Sequence, residues 1–253
     1  MTIAGQIRAR LRRHLPERLR RFVAQARRRL GDASVAQKFA FTTAQREADE
    51  VAGFVRVVEI VQPIRQTAHY EGKVHNIKLA VARLNRLCLR PGEGVSFWRA
   101  IGMPTARNGY QVGRGIVGDR LSADIGGGLC QIASLIYELG LRGGLTVIER
   151  HPHSRDLYTE DNRFTPLGLD ATVVWGFKDV RLGNPHGHSV VFEFAVEGGT
   201  LVGRLLSERP LGSFELEMSR SDEGRMRTAE VSARGSDGHA VVVSRDRYII
   251  DPA

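Results

Sequence analysis

Three consecutive glycines that run directly into an apolar helix constrain this chain more than any other feature of its sequence. Gly126, Gly127 and Gly128 precede apolar residues at 129, 132, 135, 136 and 139, which is the spacing of one face of a helix that ends near Gly140. Cys130 therefore falls in the first turn of this predicted helix. Because glycine has no Cβ, the backbone before the helix can approach a ligand closely.

A cysteine in this position is a candidate nucleophile. Unpaired N–H groups and the helix macrodipole stabilise an anion at a helix N-terminus, which lowers the pKa of a thiol. The N–H groups of the glycine turn can also face an oxyanion or a carboxylate. A tight turn with a buried cysteine is the alternative interpretation. The glycine spacing fits neither the Walker nor the dinucleotide-binding pattern, so it gives no support to a phosphate cofactor.

A second polar segment follows a predicted strand at 145–148 and reads Glu149-Arg150-His151-Pro152-His153-Ser154. Proline bars a helix here, and alternation along an extended chain places both imidazoles on one side. Such histidines can serve as the base for a thiol, bind a metal, or be hydrogen-bonded structural residues. Arg150 is predicted to be either a substrate clamp or an ion-pair partner of Glu149 or Asp170.

Zinc binding is a further use that the chemistry of these groups allows. Cys130, His151 and His153 could combine with His186 or His188, since thiolate and imidazole ligands suit zinc. However, the spacing matches no closed zinc motif, and no second cysteine stands in a C-x-x-C arrangement. The sequence therefore predicts no metal ligand and no cofactor.

The net charge of the chain is concentrated at its start. Residues 1–30 contain ten arginines and one acidic residue, Glu17, and so account for the whole formal charge of +9. Apolar residues recur there at helical spacing as far as Leu30, and Gly31 follows as a stop. This pattern predicts a basic amphipathic helix that lies on an anionic membrane or docks on the protein itself. It does not predict nucleic-acid binding, because the rest of the chain is neutral.

Residues 1–30 also indicate where in the cell the protein is expected. Arginines interrupt every turn of residues 1–30, so the continuous apolar run of a secretory signal is missing. The two cysteines, Cys88 and Cys130, cannot form a disulfide framework in a chain of this size and are expected to stay reduced. We therefore expect a cytoplasmic protein with peripheral contact to the inner face of the membrane.

The remaining patterns predict an α+β fold with helices packed on a largely antiparallel sheet. A weakly patterned helix is expected over 35–53, a strand over 55–61 that is ended by Pro63, and a helix over 76–87 that is capped by Asn76 and has Cys88 on its buried stripe. The stretch that follows, from 95 to the glycines, is expected to be rich in loops.

The second half of the chain is predicted to be rich in strands. They are expected over 171–175, 190–196 and 201–206, with a further hairpin at 227–233 and 239–244 around Asp237-Gly238. The chain thus divides into a basic helix at 1–30, a helical connector at 31–54, a central domain at 55–206 and a C-terminal β-hairpin extension at 207–253.

Several of these groups, taken in order over about residues 55–205, resemble the motifs of the VanW family. They are Gly94-Val95-Ser96-Phe97, Ile101-Gly102, Thr105, Gly109-Tyr110, Gly126-Gly127-Gly128-Leu129-Cys130-Gln131, Glu149-Arg150-His151-Pro152-His153-Ser154, Pro166-Leu167-Gly168-Leu169-Asp170-Ala171-Thr172-Val173, and Asp179-Val180-Arg181-Leu182 with Asn184.

The resemblance implies a cysteine-dependent acyl transferase or hydrolase acting on peptidoglycan stem peptides or their precursors, since some relatives are L,D-transpeptidases that use a cysteine acyl-enzyme. It makes Cys130 the nucleophile, His151 or His153 the base, and Asp170 or Glu149 the group that orients the imidazole. The expected substrate contacts are Gly126, Gly127, Gly128, Gln131, Arg150 and Ser154.

Two other classes of function stay open. One is a non-catalytic module, linked to glycopeptide resistance, that binds a wall precursor or another peptide through Arg150 and the histidines. The other is a zinc-dependent hydrolase. For an enzyme inside the cell, the substrates would be nucleotide-linked or lipid-linked precursors.

Overall fold

The computed structural model describes residues 38–117, 120–159, 163–236 and 238–250, so the predicted basic helix at 1–30 lies outside the described residues. The helices are α1 (Ala48–Val51), α2 (Tyr70–Leu84), α3 (Phe97–Ile101) and α4 (Leu129–Arg142). The strands are β1 (Ala40–Phe41), β2 (Val55–Pro63), β3 (Leu87–Leu89), β4 (Glu93–Ser96), β5 (Val112–Val117), β6 (Arg120–Ile125), β7 (Thr146–Glu149), β8 (Arg181–Gly183), β9 (Val190–Glu197), β10 (Thr200–Ser207), β11 (Glu215–Glu223), β12 (Met226–Arg234) and β13 (Ala240–Ile249).

Helix α4 is buried along nearly its whole length and supplies much of the main core. It contacts β2, β7, β10 and α2. A Cβ on Gly203 of β10 would lie 2.7 Å from the side chain of Leu135, so the helix lies directly on this strand. The sheet beneath has the order β2-β10-β9-β3 with antiparallel pairs throughout.

The other described strands form three further sheets. Their orders are β1-β4-β8-β7, β5-β6 and β11-β12-β13. Among the described strands, β1 and β4 form the parallel pair, and the other pairs are antiparallel. The C-terminal sheet joins the main core through Val231, which is fully buried.

The α+β class and the largely antiparallel sheet predicted from the sequence are confirmed. The predicted strands at 55–61, 190–196 and 201–206 are β2, β9 and β10, and the predicted C-terminal hairpin is β12–β13. The helix after the glycines is α4, which continues past Gly140 to Arg142 because its C-cap is Gly143. Across the described residues, no helix is both long and apolar enough to cross a bilayer.

The helix predicted over 76–87 was placed too late in the sequence. Asn76 is not its cap but lies buried in the middle of α2, where its amide donates to the carbonyls of Gln111 and Gly127 at 2.8 and 3.0 Å. The helix ends at Leu84, so Cys88 is on strand β3. Cys88 is nevertheless buried in a small apolar cluster, as a small hydrophobic residue would be, although its side chain also contacts Arg46.

Three further segments differ from their predictions. The described part of 35–53 contains β1 and the short α1 rather than one helix. The stretch after residue 95 contains α3 and the β5–β6 hairpin rather than mainly loops. The stretch 171–175 is not a strand: beyond one isolated bridge between Val174 and Lys178, its backbone bonds locally and to the loop that carries His151.

Candidate active site

The glycine turn delivers Cys130 to the first turn of α4. Gly126 and Gly128 have φ angles of 85° and 102°, a left-handed conformation that favours glycine. A Cβ on Gly127 would lie 2.1 Å from the carbonyl oxygen of Gly113 on β5, so this close backbone contact requires glycine. Cys130 is half-buried and is the second residue of α4.

Two backbone N–H groups beside the thiol are left for a ligand. The N–H groups of Gly126 and Gly127 already donate to the carbonyls of residues 111 and 124, both at 3.0 Å. Those of Gly128 and Cys130 donate to no acceptor within the described part of the chain. Both lie at the positive end of the α4 macrodipole, where they can stabilise an oxyanion. Three glycine N–H groups were predicted as donors to an oxyanion. Of these, the N–H of Gly128 has no acceptor among the described residues.

His153 and Asp170 extend a chain of contacts from Cys130. Nδ1 of His153 is 2.6 Å from Oδ2 of Asp170, and the backbone N–H of His153 donates to the same oxygen at 2.8 Å. Nε2 of His153 is buried and has no other hydrogen-bond partner among the described residues, which leaves it for the neighbouring thiol. Thr172 is also close, with its hydroxyl oxygen 3.9 Å from Sγ. The arrangement is that of a nucleophile, a base and an orienting carboxylate.

These three groups shift one another's pKa. Burial raises the pKa of the Cys130 thiol, but the hydrogen bond and charge of His153 outweigh it and leave the pKa below its ordinary value. Burial lowers the pKa of His153, yet Asp170 and Cys130 raise it to about 10. Burial also raises the pKa of Asp170, while His153 and Arg150 hold it well below its usual range. These shifts favour the ion pair of a thiolate and an imidazolium over the neutral thiol and imidazole.

Asp170 is held in place by Tyr248, which was assigned no role from the sequence, and by Arg150, which makes the ion pair with Asp170 that was one of its predicted roles. The hydroxyl of Tyr248 donates to Oδ1 of Asp170 at 2.5 Å. Arg150 donates to the same oxygen at 3.2 Å and to the Asp170 backbone carbonyl at 2.7 Å. Arg150 also pairs with Asp246 and lies over the ring of Tyr137. Arg150 is buried, and its guanidinium is engaged with Asp170 and Asp246 rather than facing the cavity beside Cys130.

The structure does not bring His151 to Cys130. Nε2 of His151 is 3.0 Å from Oε1 of Glu149, and that oxygen also accepts from the backbone N–H of Asp179. The expected alternation did not place the two imidazoles together, because each turns toward its own carboxylate. Glu149 therefore orients His151, and Asp170 orients His153.

Cys130, His153 and Asp170 form a triad, of which Cys130 and His153 line a cavity of about 810 Å³. Its wall includes Cys130, His153, Gln131 and the glycine turn. Aromatic side chains and three cations form much of the rest, with one acidic residue: Trp98, Tyr158, Phe164, Trp175, Phe177, Arg65, Lys73, Arg114 and Asp124. A cavity of this size, apolar with a few polar groups, is suited to a ligand as large as a short peptide.

Gln131 and Ser154 were also predicted to contact the substrate, and the structure places Gln131 in the cavity wall but Ser154 outside it. Gln131 is buried in the cavity wall, where Nε2 donates to the carbonyl of Pro63 at 3.0 Å and Oε1 is left without a partner among the described residues. Ser154 is exposed and outside the cavity wall, and its backbone carbonyl accepts from the N–H of Ile249.

The zinc set considered from the sequence is not assembled. His186 contacts the carbonyl of Gly143 at 2.9 Å, which is the C-terminal end of α4, whereas Cys130 is at its N-terminal end. A helix of this length separates its ends by roughly 20 Å. In the described ranges, no group of three or more His, Cys, Asp or Glu side chains is arranged to hold a metal ion.

Comparison with known proteins places this site in a family. Residues 72–206, just over half of the chain, match the profile of the family described as VanW like protein. The chain belongs to the VanW family. It is 32% identical over 143 residues to the uncharacterized protein YoaR of Bacillus subtilis (strain 168), a match that covers 56% of this chain and 46% of YoaR.

A second relative is the vancomycin B-type resistance protein VanW of Enterococcus faecalis (strain ATCC 700802 / V583). The chain is 30% identical to it over 141 residues, which cover 56% of this chain and 51% of the relative. The chain thus spans about half the length of the curated relatives it matches. No solved structure matches it.

The residues matched to the VanW family include the triad, but they do not include every residue that holds Asp170 and Arg150 in place. Cys130, His153 and Asp170 lie within residues 72–206, whereas Asp246 and Tyr248 follow the match on strand β13. Sequence reasoning assigned no chemistry to this tail. The available signal was alternation, which places residues 246 and 248 on one face of a strand, but the predicted strand ended at 244. Lys73 and Arg114 were also missed, although each directly follows a glycine.

Proposed function

We propose that this VanW-family protein is a cysteine-dependent acyl transferase or hydrolase that acts on an amide bond of peptidoglycan stem peptides or their precursors. The observation that carries the proposal is the contact chain from Cys130 through His153 to Asp170. The relative from Enterococcus faecalis is a vancomycin B-type resistance protein, which supports a substrate from the cell wall.

The proposed reaction begins with attack of the Cys130 thiolate on the substrate carbonyl carbon. The resulting oxyanion is stabilised by the free N–H groups of Gly128 and Cys130. His153, which holds the proton from the thiol, gives it to the leaving amine nitrogen as the C–N bond breaks and a thioester remains. Asp170 keeps the imidazole in place through Nδ1 throughout these steps.

A second nucleophile completes the cycle. An amine from another stem peptide, or water, attacks the thioester carbon, His153 takes the proton of this nucleophile, and the Cys130 thiolate leaves. An amine gives a transferred acyl group, and water gives hydrolysis. The same geometry serves both outcomes, so the choice depends on which nucleophile enters the cavity.

The test is the intact mass of the protein after incubation with a synthetic stem pentapeptide. We expect a covalent adduct on wild type that equals the peptide minus its leaving group, and none on Cys130→Ala. Rapid quenching is needed, because the thioester is consumed. If wild type forms no adduct and releases no product, but Cys130→Ala still binds the peptide, the protein is a binding module instead.

We also propose that residues 1–30 hold the protein at the cytoplasmic face of an anionic membrane, which supports a lipid-linked substrate. The support is the concentration of the whole net charge of +9 in this segment. Co-sedimentation with phosphatidylglycerol vesicles is expected to be strong at low salt and weaker at physiological salt. Phosphatidylcholine vesicles are the control, and equal binding to both lipids would contradict the proposal.

A further inference from the structure

Two cations on the cavity wall have no part in the proposed acyl transfer. They are Lys73, in the first turn of α2, and Arg114, on β5. Neither forms an ion pair with a carboxylate in the described part of the chain, although Asp124 lines the same cavity. The contact given for the Lys73 ammonium is aromatic, 5.9 Å from the centre of the Phe164 ring.

Close contacts that require glycine hold the segments carrying both cations against the turn that precedes Cys130. Arg114 follows Gly113, which packs against Gly127 of the glycine turn. Lys73 crosses Gly128 so closely that a Cβ on this glycine would lie 2.6 Å from Cγ of Lys73. Because these contacts leave no room for side chains, the start of α2 and strand β5 lie directly against the glycine turn that precedes Cys130, and both cations line the cavity that this turn borders.

Placing these two cations together on the cavity wall is electrostatically unfavourable. Burial, together with the positive charge of Arg114, lowers the pKa of Lys73 to about 8. A half-buried cation without a carboxylate partner and beside a second cation costs free energy in the folded protein. A ligand anion would offset that cost, which is the expected behaviour of a binding site.

We propose that Lys73 and Arg114 form a subsite that binds a free carboxylate of the peptide substrate. This inference rests on the proposed function, because the scissile carbonyl must lie at Cys130. Lys73 contacts the N-cap residue of α4, and each peptide residue spans roughly 3.5 Å. Because both cations and Cys130 line one cavity, we expect the carboxylate to bind near the scissile amide, so that the substrate is cleaved near its free C-terminus rather than in the middle of a chain.

The experiment measures binding without catalysis, in the Cys130→Ala protein. The two probes are a synthetic stem pentapeptide with a free C-terminal carboxylate and the same pentapeptide amidated at its C-terminus. Calorimetry is expected to give a dissociation constant about ten-fold lower for the free acid than for the amide, as charge-assisted hydrogen bonds predict. Lys73→Met and Arg114→Gln are each expected to remove most of this difference.

Two matched variants control for loss of charge and of structure. Lys73→Arg keeps the charge and is expected to retain a preference for the free acid. Arg107→Gln changes an exposed arginine outside the cavity wall, next to two wall residues, and is expected to bind as the parent does. Thermal unfolding of each variant shows that it is folded at the temperature of the titration.

The outcomes separate this proposal from the proposed function. Equal affinity for acid and amide, with both bound, would overturn the carboxylate subsite and leave acyl transfer standing. Failure of both peptides to bind would overturn the stem peptide as substrate and the subsite with it. Inorganic phosphate that competes with the free acid at micromolar concentration, in a manner that depends on Lys73, would identify a phosphate site and overturn the carboxylate.

Discussion

His151 and His153 stand two residues apart but make contact with different carboxylates, and this gives them unequal effects on Cys130. In His153→Ala, the pKa of the thiol is expected to rise toward roughly 8.5 or above, because the neighbouring positive charge is lost. Alkylation by iodoacetamide at neutral pH should then slow by on the order of ten-fold. His151→Ala should leave the rate unchanged.

The rate is measured as a function of pH in a Cys88→Ser background, so that Cys130 is the thiol that reacts. For each protein the rate falls as pH drops below the thiol pKa, and the midpoint gives that pKa. An equal shift in both histidine variants would contradict the assignment of His153 as the base.

Lys73 provides a prediction about stability. Its folded pKa of about 8 is lower than the roughly 10.4 of an unfolded lysine, so the unfolded state binds more protons between these values. Lys73→Met is expected to increase the free energy of unfolding at neutral pH by about 1 kcal/mol. This advantage should shrink as pH rises from about 8 toward 10. Urea unfolding at several pH values measures it, and a loss of stability at neutral pH would contradict the expectation.

At the scale of elements, the contact between the glycine turn and β5 decides whether the site can form. Gly127→Ala would place a Cβ 2.1 Å from the carbonyl oxygen of Gly113, and backbone cannot give way as a side chain can. We expect a loss of at least about 3 kcal/mol in the free energy of unfolding. Gly187→Ala, where nothing lies within 4 Å of the new Cβ, should change it by less than about 0.5 kcal/mol. Chemical denaturation of the pair measures the difference.

Elements with a strong local pattern were predicted well from the sequence. Helix α4 was evident from its apolar spacing, and β9–β10 from the Gly198-Gly199 turn between two apolar runs. Helix α2 was started too late because Asn76 has the residue type of a cap, while its amide is used for contacts 35 and 51 residues away. The β5–β6 hairpin was missed because its glycines read as loop residues, whereas some of them serve close backbone packing.

At the scale of the whole molecule, strand β13 belongs to the site although it lies beyond the family match. Tyr248→Phe removes the hydroxyl that donates to Asp170. We expect the free energy of unfolding to fall by about 2 kcal/mol, as for a buried hydrogen bond to a charge. We also expect the thiol pKa of Cys130 to rise, because Asp170 then holds His153 less firmly. Parallel denaturation and alkylation assays test both effects, and an unchanged thiol pKa would make the role of Tyr248 purely structural.

Cys130, His153 and Asp170, which the structure brings together, are all among the site residues predicted from the sequence. The sequence could not choose between His151 and His153, because that choice depends on residues 149 and 170, which come together only in the folded chain. Tyr248 and Asp246 lie 78 and 96 residues from the groups they contact, a separation that no local pattern encodes. Lys73 and Arg114 were missed for the same reason.

The separation of the two cysteines determines how the protein responds to oxidants. A thiolate stabilised by an imidazolium reacts readily with peroxide to give a sulfenic acid. Cys88 is buried in a separate apolar cluster, so it cannot resolve that species as an internal disulfide. Recovery therefore depends on an external thiol, and without one the sulfur proceeds to the irreversible sulfinic acid. The thiol of Cys130 is therefore expected to stay reduced only where the surroundings supply reducing capacity.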